Sequence, residues 1–196
     1  MAREFVPKMT AGDIDLLVKI TPRDGAVLEF GCGGSTQFFF ENGVRKLCSV
    51  ESDRQWIETL MENPVVSVNH KYGRWLPYHA DIGPVGEWGN PVSKKPAVCW
   101  LDYHQSCWEK FGGNDFDLVL IDGRFRVACL CQTLLRCPPD TGIAFHDFWD
   151  RPEYHVVLDF VDVLGRSEKL GLFRRKKTID WVKLCLLLQA CQFTFR

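Results

Sequence analysis

The residues with the clearest chemical potential lie between positions 26 and 53. Ala26 to Phe30 is a short apolar run that ends in a glycine-rich turn, Gly31-Cys32-Gly33-Gly34. A second apolar run, Leu47 to Val50, ends on an acid, Glu51, which stands 20 positions after Gly31. Glycines let the main chain approach a ligand closely, and an acid at about that separation accepts hydrogen bonds from a ribose diol. Strand, glycine turn, helix, strand and acid, in that order, is the pattern of a nucleotide-cofactor site.

Further acids stand at or just after other apolar runs. Asp81 follows 74–80, Asp122 follows Phe116 to Ile121, and His146-Asp147 follows Gly142 to Phe145. Asp122, His146 and Asp147 form the candidate catalytic set, because a carboxylate or an imidazole with a pKa near ~6.5 can remove or orient an acceptor proton at neutral pH. The plainer roles are a helix cap for Asp122 and a backbone contact for His146. Asp122 and Asp147 also offer the oxygen ligands a hard divalent cation wants, and such a cation would lower the pKa of a bound hydroxyl. Two acids and one histidine are a thin set, so no metal is expected. Arg124 and Arg126 flank Phe125 at a helix start, where arginine grips anions. Positions two apart do not share a helix face, so only one points inward; Arg124 is the substrate-binding candidate. Trp88, in the turn-rich segment 83–96, is the candidate lid.

These residues need a scaffold. With 196 residues and 46% hydrophobic content the chain suits one globular domain, here 1–178, followed by an apolar segment, 179–196. A net charge of −1 gives no drive toward nucleic acid or anionic membrane. Nine cysteines without a Cys-x-x-Cys pair read as reduced, buried thiols rather than a zinc site or a disulfide framework. That implies a reducing, cytoplasmic setting, and the first residues carry no signal-peptide run. No run reaches the roughly 20 apolar residues that span a bilayer. Helices are expected at 13–20, 35–42, 53–62, 97–111, 125–136 and 152–164. Strands are expected at 26–30, 46–50, 74–80, 116–121, 142–145 and 169–175. Val65 to Val68 competes with 74–80 for the third strand, and Pro77 suits only an edge. The alternation argues for a mostly parallel sheet covered on both faces, with ligands at the carboxyl ends of its strands. The apolar tail, Ile179 to Leu188, can pack on the domain, bury in a homo-oligomer or lie at a membrane surface.

The ordered blocks Glu29-Phe-Gly31-Cys-Gly33-Gly34-Ser35, Ser49-Val-Glu51-Ser-Asp53, Asp81-Ile82 and Leu120-Ile-Asp122-Gly123 resemble the class I S-adenosylmethionine-dependent methyltransferases. More narrowly, Gly-Gly-Ser-Thr at 33–36, Val-Glu-Ser-Asp-Arg at 50–54, the block at 81–89 and Asp-Gly-Arg-Phe-Arg-Val at 122–127 are similar to a small group of methyltransferase-like proteins. The resemblance covers roughly 12–176. It implies an α/β, Rossmann-like fold with a mostly parallel seven-stranded sheet and helices on both faces. It implies S-adenosylmethionine as cofactor and a small-molecule acceptor. Glu29, Gly31, Gly33 and Ser35 would face the methionine and ribose portion, Glu51 the ribose hydroxyls, Asp81 and Ile82 the adenine, and Asp122 the methionine end or the acceptor. Two departures stand out. Ser35 replaces a third motif glycine, and Thr178 to Arg196 has no counterpart, which leaves the final hairpin open to alteration. Two other functions compete. One is a non-catalytic cofactor-binding or regulatory module; the other is a nicotinamide oxidoreductase, against which Thr36 stands where the dinucleotide fingerprint needs glycine.

Overall fold

The computed structural model describes residues 5–93 and 95–195. Thr10 opens helix α1 (Ala11–Ile20) with a capping box: its hydroxyl accepts the Asp13 N–H, and the Asp13 carboxylate accepts the Thr10 N–H. Strands β1 (Ala26–Phe30) and β4 (Leu118–Ile121) are buried at every position, as continuous apolar runs must be when both faces of a sheet are covered. Between them in sequence come α2 (Gly34–Glu41), β2 (Lys46–Glu51), α3 (Arg54–Met61), α4 (Pro64–Lys71), β3 (Trp75–His79) and α5 (Leu101–His104). After β4 follow α6 (Arg126–Arg136), β5 (Gly142–Phe145), β6 (Val161–Arg166), β7 (Gly171–Arg175) and α7 (Trp181–Cys191).

The seven strands lie in the order β3-β2-β1-β4-β5-β7-β6. β1 to β5 pair in parallel, and β7 runs antiparallel to both β5 and β6. Strand order reverses between β1 and β4, so the loops after these two strands diverge and open a crevice at their carboxyl ends. β3 is an edge strand, where Pro77 is tolerated.

Four expectations change. Asn63-Pro64 ends α3 but also begins α4, with the Asn63 side chain accepting the Val65 and Val66 N–H groups and Pro64 in the first turn. Val65 to Val68 is therefore helical. The expected helix 97–111 is broken into 3₁₀ turns at Val98–Trp100 and Ser106–Lys110 around the short α5. The expected helix 152–164 stops as a 3₁₀ segment at Asp159, and Val161 starts the edge strand β6. The hairpin β6–β7 is thus intact. The tail forms α7, which packs on α6; Leu184 is fully buried, and Leu187, Leu188 and Phe195 join the core. Among the described residues no helix is long and apolar enough to cross a membrane. All nine cysteines are free, and six of them are buried.

Candidate functional site

The crevice is built from glycines first. Gly31 has φ +89°, and a β-carbon there would stand 2.7 Å from Gly123 Cα. The turns after β1 and β4 therefore touch main chain to main chain, fixed by Asp122 N–H to Phe30 O at 3.0 Å, while Gly31 N–H to Val50 O at 2.8 Å ties the first turn to β2. Gly33 is different. Its φ is 169°, extended backbone open to any residue, and a β-carbon would meet only the Trp56 ring, at 3.8 Å. A glycine there spares room above the turn.

Below the turn, Glu29 is fully buried and accepts the hydroxyls of Ser35 at 2.7 Å, Thr36 at 2.6 Å and Ser49 at 2.7 Å. Burial pushes its carboxyl up to about 7 despite these bonds. Glu29 ties α2 to β1 and β2 under the glycine turn and does not line the cavity.

Glu51 ends β2 facing the cavity. Its Oε1 accepts the N–H groups of Ser52 at 2.7 Å and Asp53 at 2.9 Å, and its Oε2 accepts the Cys32 N–H at 3.3 Å. Oε1 is occupied and Oε2 carries only two long bonds, from the Cys32 N–H and, at 3.9 Å, its Sγ, so Oε2 keeps capacity for a further donor. Burial raises the Glu51 pKa, against the pull of the Asp53, Ser52 and Cys32 amides.

The cavity over Gly31–Ser35 and Glu51 measures about 430 Å³, the size of a small-ligand site. One wall is the segment Phe5–Met9, whose Val6-Pro7 main chain lies directly on Gly34. The facing wall is the loop carrying Trp88 and Gly89. Lys8 Nζ sits 4.0 Å over the Trp88 ring and joins the two walls. Trp88 is 66% exposed and has φ +60°. Phe5 packs edge-on against Trp56, whose Nε1 donates to Cys32 O at 2.8 Å.

At the β4 end Asp122 reaches the cavity, and Arg124 stands beside it with Nη1 donating to Asn90 Oδ1 at 2.8 Å. Behind them Arg126 is buried. It donates to the carbonyls of Gly123, Asp122 and His146 and pairs with Asp122 at 3.2 Å and Asp147 at 3.3 Å. Burial favours a neutral Asp122, yet the His146 hydrogen bond and the charges of Arg126, His146 and Arg124 hold it below the usual carboxylate range.

This geometry has counterparts among solved structures. A methyltransferase-like protein from Silicibacter pomeroyi is similar over nearly the whole length: 27% identity, 95% of this chain and 96% of that chain covered, TM-score 0.77. The C-terminal domain of a precorrin-6Y C5,15-methyltransferase from Rhodobacter capsulatus matches at TM-score 0.54 and 11% identity, covering 87% of this chain and 89% of that one. A TehB-like SAM-dependent methyltransferase from Corynebacterium glutamicum matches at TM-score 0.50 and 12% identity, covering 87% and 90%. The chain has the class I methyltransferase fold. No protein-family model and no curated protein matches it.

Within this methyltransferase fold, Gly31, Gly33, Ser35, Glu51, Asp122, Arg124 and Trp88 converge on one cavity, as their positions in sequence suggest. Five candidates do not reach it. Glu29 is the anchor beneath it. Asp81 is exposed, its carboxylate accepting the Gly83 N–H, and Ile82 is in the core. Asp147 has φ +56° and is held by Arg126 and by Arg151 at 2.8 Å, so it is a structural counter-ion rather than a base. His146 is buried behind Asp122 and touches the cavity through that acid. Ligand atoms of Asp122, His146 and Asp147 lie within 4.8 Å of one another, a spacing a cation could use. The Arg126 guanidinium and the His146 ring already serve those oxygens, so the donor set does not fit a metal.

Sequence reading missed the wall Phe5–Met9, Trp56 and Gly89. A segment without motif or periodicity carries no signal that it will lie over a glycine turn. Gly89 belongs to the block that includes Trp88, so its place was within reach.

Proposed function

We propose that the chain binds S-adenosylmethionine in the cavity over Gly31 and Glu51 and transfers its methyl group to a small-molecule acceptor. The observation that carries this reading is the open main chain at Gly33 facing Glu51 Oε2 across one cavity, within a fold shared with methyltransferases. Bound there, the cofactor supplies an electrophilic methyl on a sulfonium. Glu51 would hold the ribose, the turn Gly31–Ser35 would lie along the ligand, and Asp122 would meet a donor near the reacting end. Holding donor and acceptor in contact accounts for much of the rate in such a site.

The acids and thiol around the cavity supply no ready general base. Asp122 is ion-paired and depressed, Glu51 is fastened to amides, Asp53 caps α3 by accepting the Gln55 and Trp56 N–H groups, and burial, with the charges of Glu51 and Glu29, pushes the Cys32 thiol up. We infer an acceptor that arrives as a competent nucleophile. Arg124 and Lys8 at the walls favour an anionic one.

The same lack of a base supports a second reading, a cofactor-binding module without catalysis. The nicotinamide alternative has less in its favour, because Thr36 Oγ1 already takes the Gly33 N–H that a pyrophosphate would use, at 3.0 Å. Calorimetric titration of the full chain with S-adenosylmethionine and S-adenosylhomocysteine tests the first claim. Binding of both is expected, and no heat at millimolar ligand sinks it. Binding without turnover across thiol, amine, carboxylate and hydroxyl acceptors selects the module.

A further inference from the structure

Asp13 lies outside the cavity, in the first turn of α1, yet it is fully buried. Its Oδ1 accepts the N–H groups of Lys169 at 3.0 Å and Leu170 at 2.9 Å, docking α1 against the β6–β7 hairpin. Its Oδ2 faces the His146 ring, 3.8 Å from Nε2. The opposite ring nitrogen, Nδ1, is 2.9 Å from Asp122 Oδ1. His146 Nε2 is sealed from water and has no hydrogen-bond partner of ordinary length. The charged group that approaches that nitrogen is the Asp13 carboxylate.

Three elements thus converge on one ring: Asp13 from α1, Asp122 from the end of β4, and His146 itself from the end of β5. The other charged groups around it are Asp147, 3.6 Å from Nδ1, and Arg126, with Arg151 and Lys169 beyond Asp147. Three carboxylates lie within 4 Å of the ring nitrogens, so a proton on both nitrogens is favoured.

We propose that Asp13, acting through His146, is a positioning residue for Asp122: a buried carboxylate–imidazolium–carboxylate line keeps Asp122 ionised and turned so that its second oxygen meets the ligand. Asp13 touches no ligand. The assignment rests on the cofactor reading above and changes the role expected for His146, from proton acceptor to fixed cation. Burial works against that charge, but the Asp122 hydrogen bond and the charges of Asp122 and Asp147 outweigh it, so the His146 pKa lies above the ordinary imidazole value. Burial likewise opposes charge on Asp13, and the Lys169 and Leu170 amides overcome it, leaving its pKa below the usual range.

Asp13 could simply fasten α1 to the hairpin. Asp13→Asn separates the two roles, since the asparagine carbonyl can still accept both amides while the charge is gone. Its NH₂ group would donate to Nε2 and turn the ring into the neutral form. The experiment is nitrogen-15 NMR of the His146 ring in the full chain, with S-adenosylhomocysteine affinity measured across pH. In the wild-type chain both ring nitrogens should carry protons at pH 7. In Asp13→Asn, Nε2 should lose its proton, and affinity at pH 7 should fall roughly tenfold, the scale of one charge-assisted hydrogen bond. A neutral wild-type ring, a ring still doubly protonated in Asp13→Asn, or a lost proton with unchanged affinity each overturns the proposal. If Asp13→Asn does not fold, Asp122→Asn, which leaves the α1 docking intact, replaces it: loss of the ring proton supports the line, and retention overturns it. The NMR result is read without ligand, so absence of S-adenosylhomocysteine binding would fail the cofactor reading and leave the line itself still decided.

Discussion

Gly89 lies against the Glu51 carboxylate. A β-carbon at position 89 would stand 3.2 Å from Glu51 Oε1 and 2.5 Å from Ser52 Oγ, and Ser52 Oγ donates to Gly89 O at 3.2 Å. The loop that carries Trp88 is therefore seated on the acid that would hold the ribose, so the wall and the ribose contact form one unit.

Glu51→Ala should weaken adenosine and S-adenosylhomocysteine binding by about tenfold to a hundredfold, the 1.5–3 kcal/mol typical of hydrogen bonds to a charged group. The variant also strips the Ser52 and Asp53 amides of their acceptor, so its melting temperature should fall. Calorimetry at a temperature well below the variant's own melting point separates the two effects. Unchanged nucleoside affinity in a folded Glu51→Ala would remove the acid from the site.

The carboxyl-end geometry was legible in the sequence because its signals are local. An apolar run closed by glycine or acid marks where a buried strand must stop, and Glu51 and Asp122 were found that way. Asp53 caps α3 where the expected helix 53–62 begins, while Thr10 caps α1 and starts it at Ala11, ahead of the expected 13. What stayed hidden depends on partners distant in sequence. Asp13 reads as a helix-start residue until Lys169 and Leu170 arrive on the other side of the domain. Val161 to Arg166 hid as a helix because an edge strand exposed at most positions lacks the alternation that marks a half-buried one. Asp81 looked like a ligand residue because its block fits a resemblance, yet its carboxylate serves the turn at Gly83.

The wall formed by Phe5–Met9 depends on Gly34. A β-carbon there would collide with the main chain of Val6 and Pro7, which cannot yield as a side-chain tip would. Gly34 lies within the first turn of α2, where alanine is otherwise the better helix former. Gly34→Ala should thus leave the melting temperature nearly unchanged while the segment lifts. The expected readout is faster proteolytic cleavage within the first ten residues, together with weaker S-adenosylhomocysteine binding. Wild-type cleavage rates would show that the segment does not rest on the turn.

Arg126 joins the β4 and β5 ends through two carboxylates and three carbonyls. Arg126→Met removes the charge and leaves Asp122 with His146 alone and Asp147 with Arg151 alone. Breaking a buried pair in this way costs about 3–5 kcal/mol, readable as a lower denaturation midpoint in urea. Because the guanidinium already serves these acids, neither magnesium nor a chelator should alter S-adenosylhomocysteine affinity of the wild-type chain. A chelator-sensitive affinity would mean a cation competes successfully with Arg126.

Glu29, like Glu51, makes stability depend on pH in the direction opposite to that of an ion-paired carboxylate such as Asp122. Its carboxyl is raised from 4.5 to about 7 in the folded chain, first by burial, so folding favours the protonated acid. Below pH ~4.5 both states hold the proton and no penalty arises; as pH rises toward about 7 the unfolded chain loses it first, and stability falls. The full difference is about 3 kcal/mol. Asp122 and Asp13, depressed in the folded chain, act the other way: their contribution is complete above the ordinary carboxylate range and is lost as pH falls through their folded values. His146, raised, contributes below its ordinary value and loses that contribution as pH rises through its folded one. Glu29→Gln cancels only the first component. Urea midpoints measured from pH 4.5 to 8 should therefore decline with pH in the wild-type chain more steeply than in Glu29→Gln. Parallel curves would mean that Ser35, Thr36 and Ser49 hold Glu29 ionised in the folded chain.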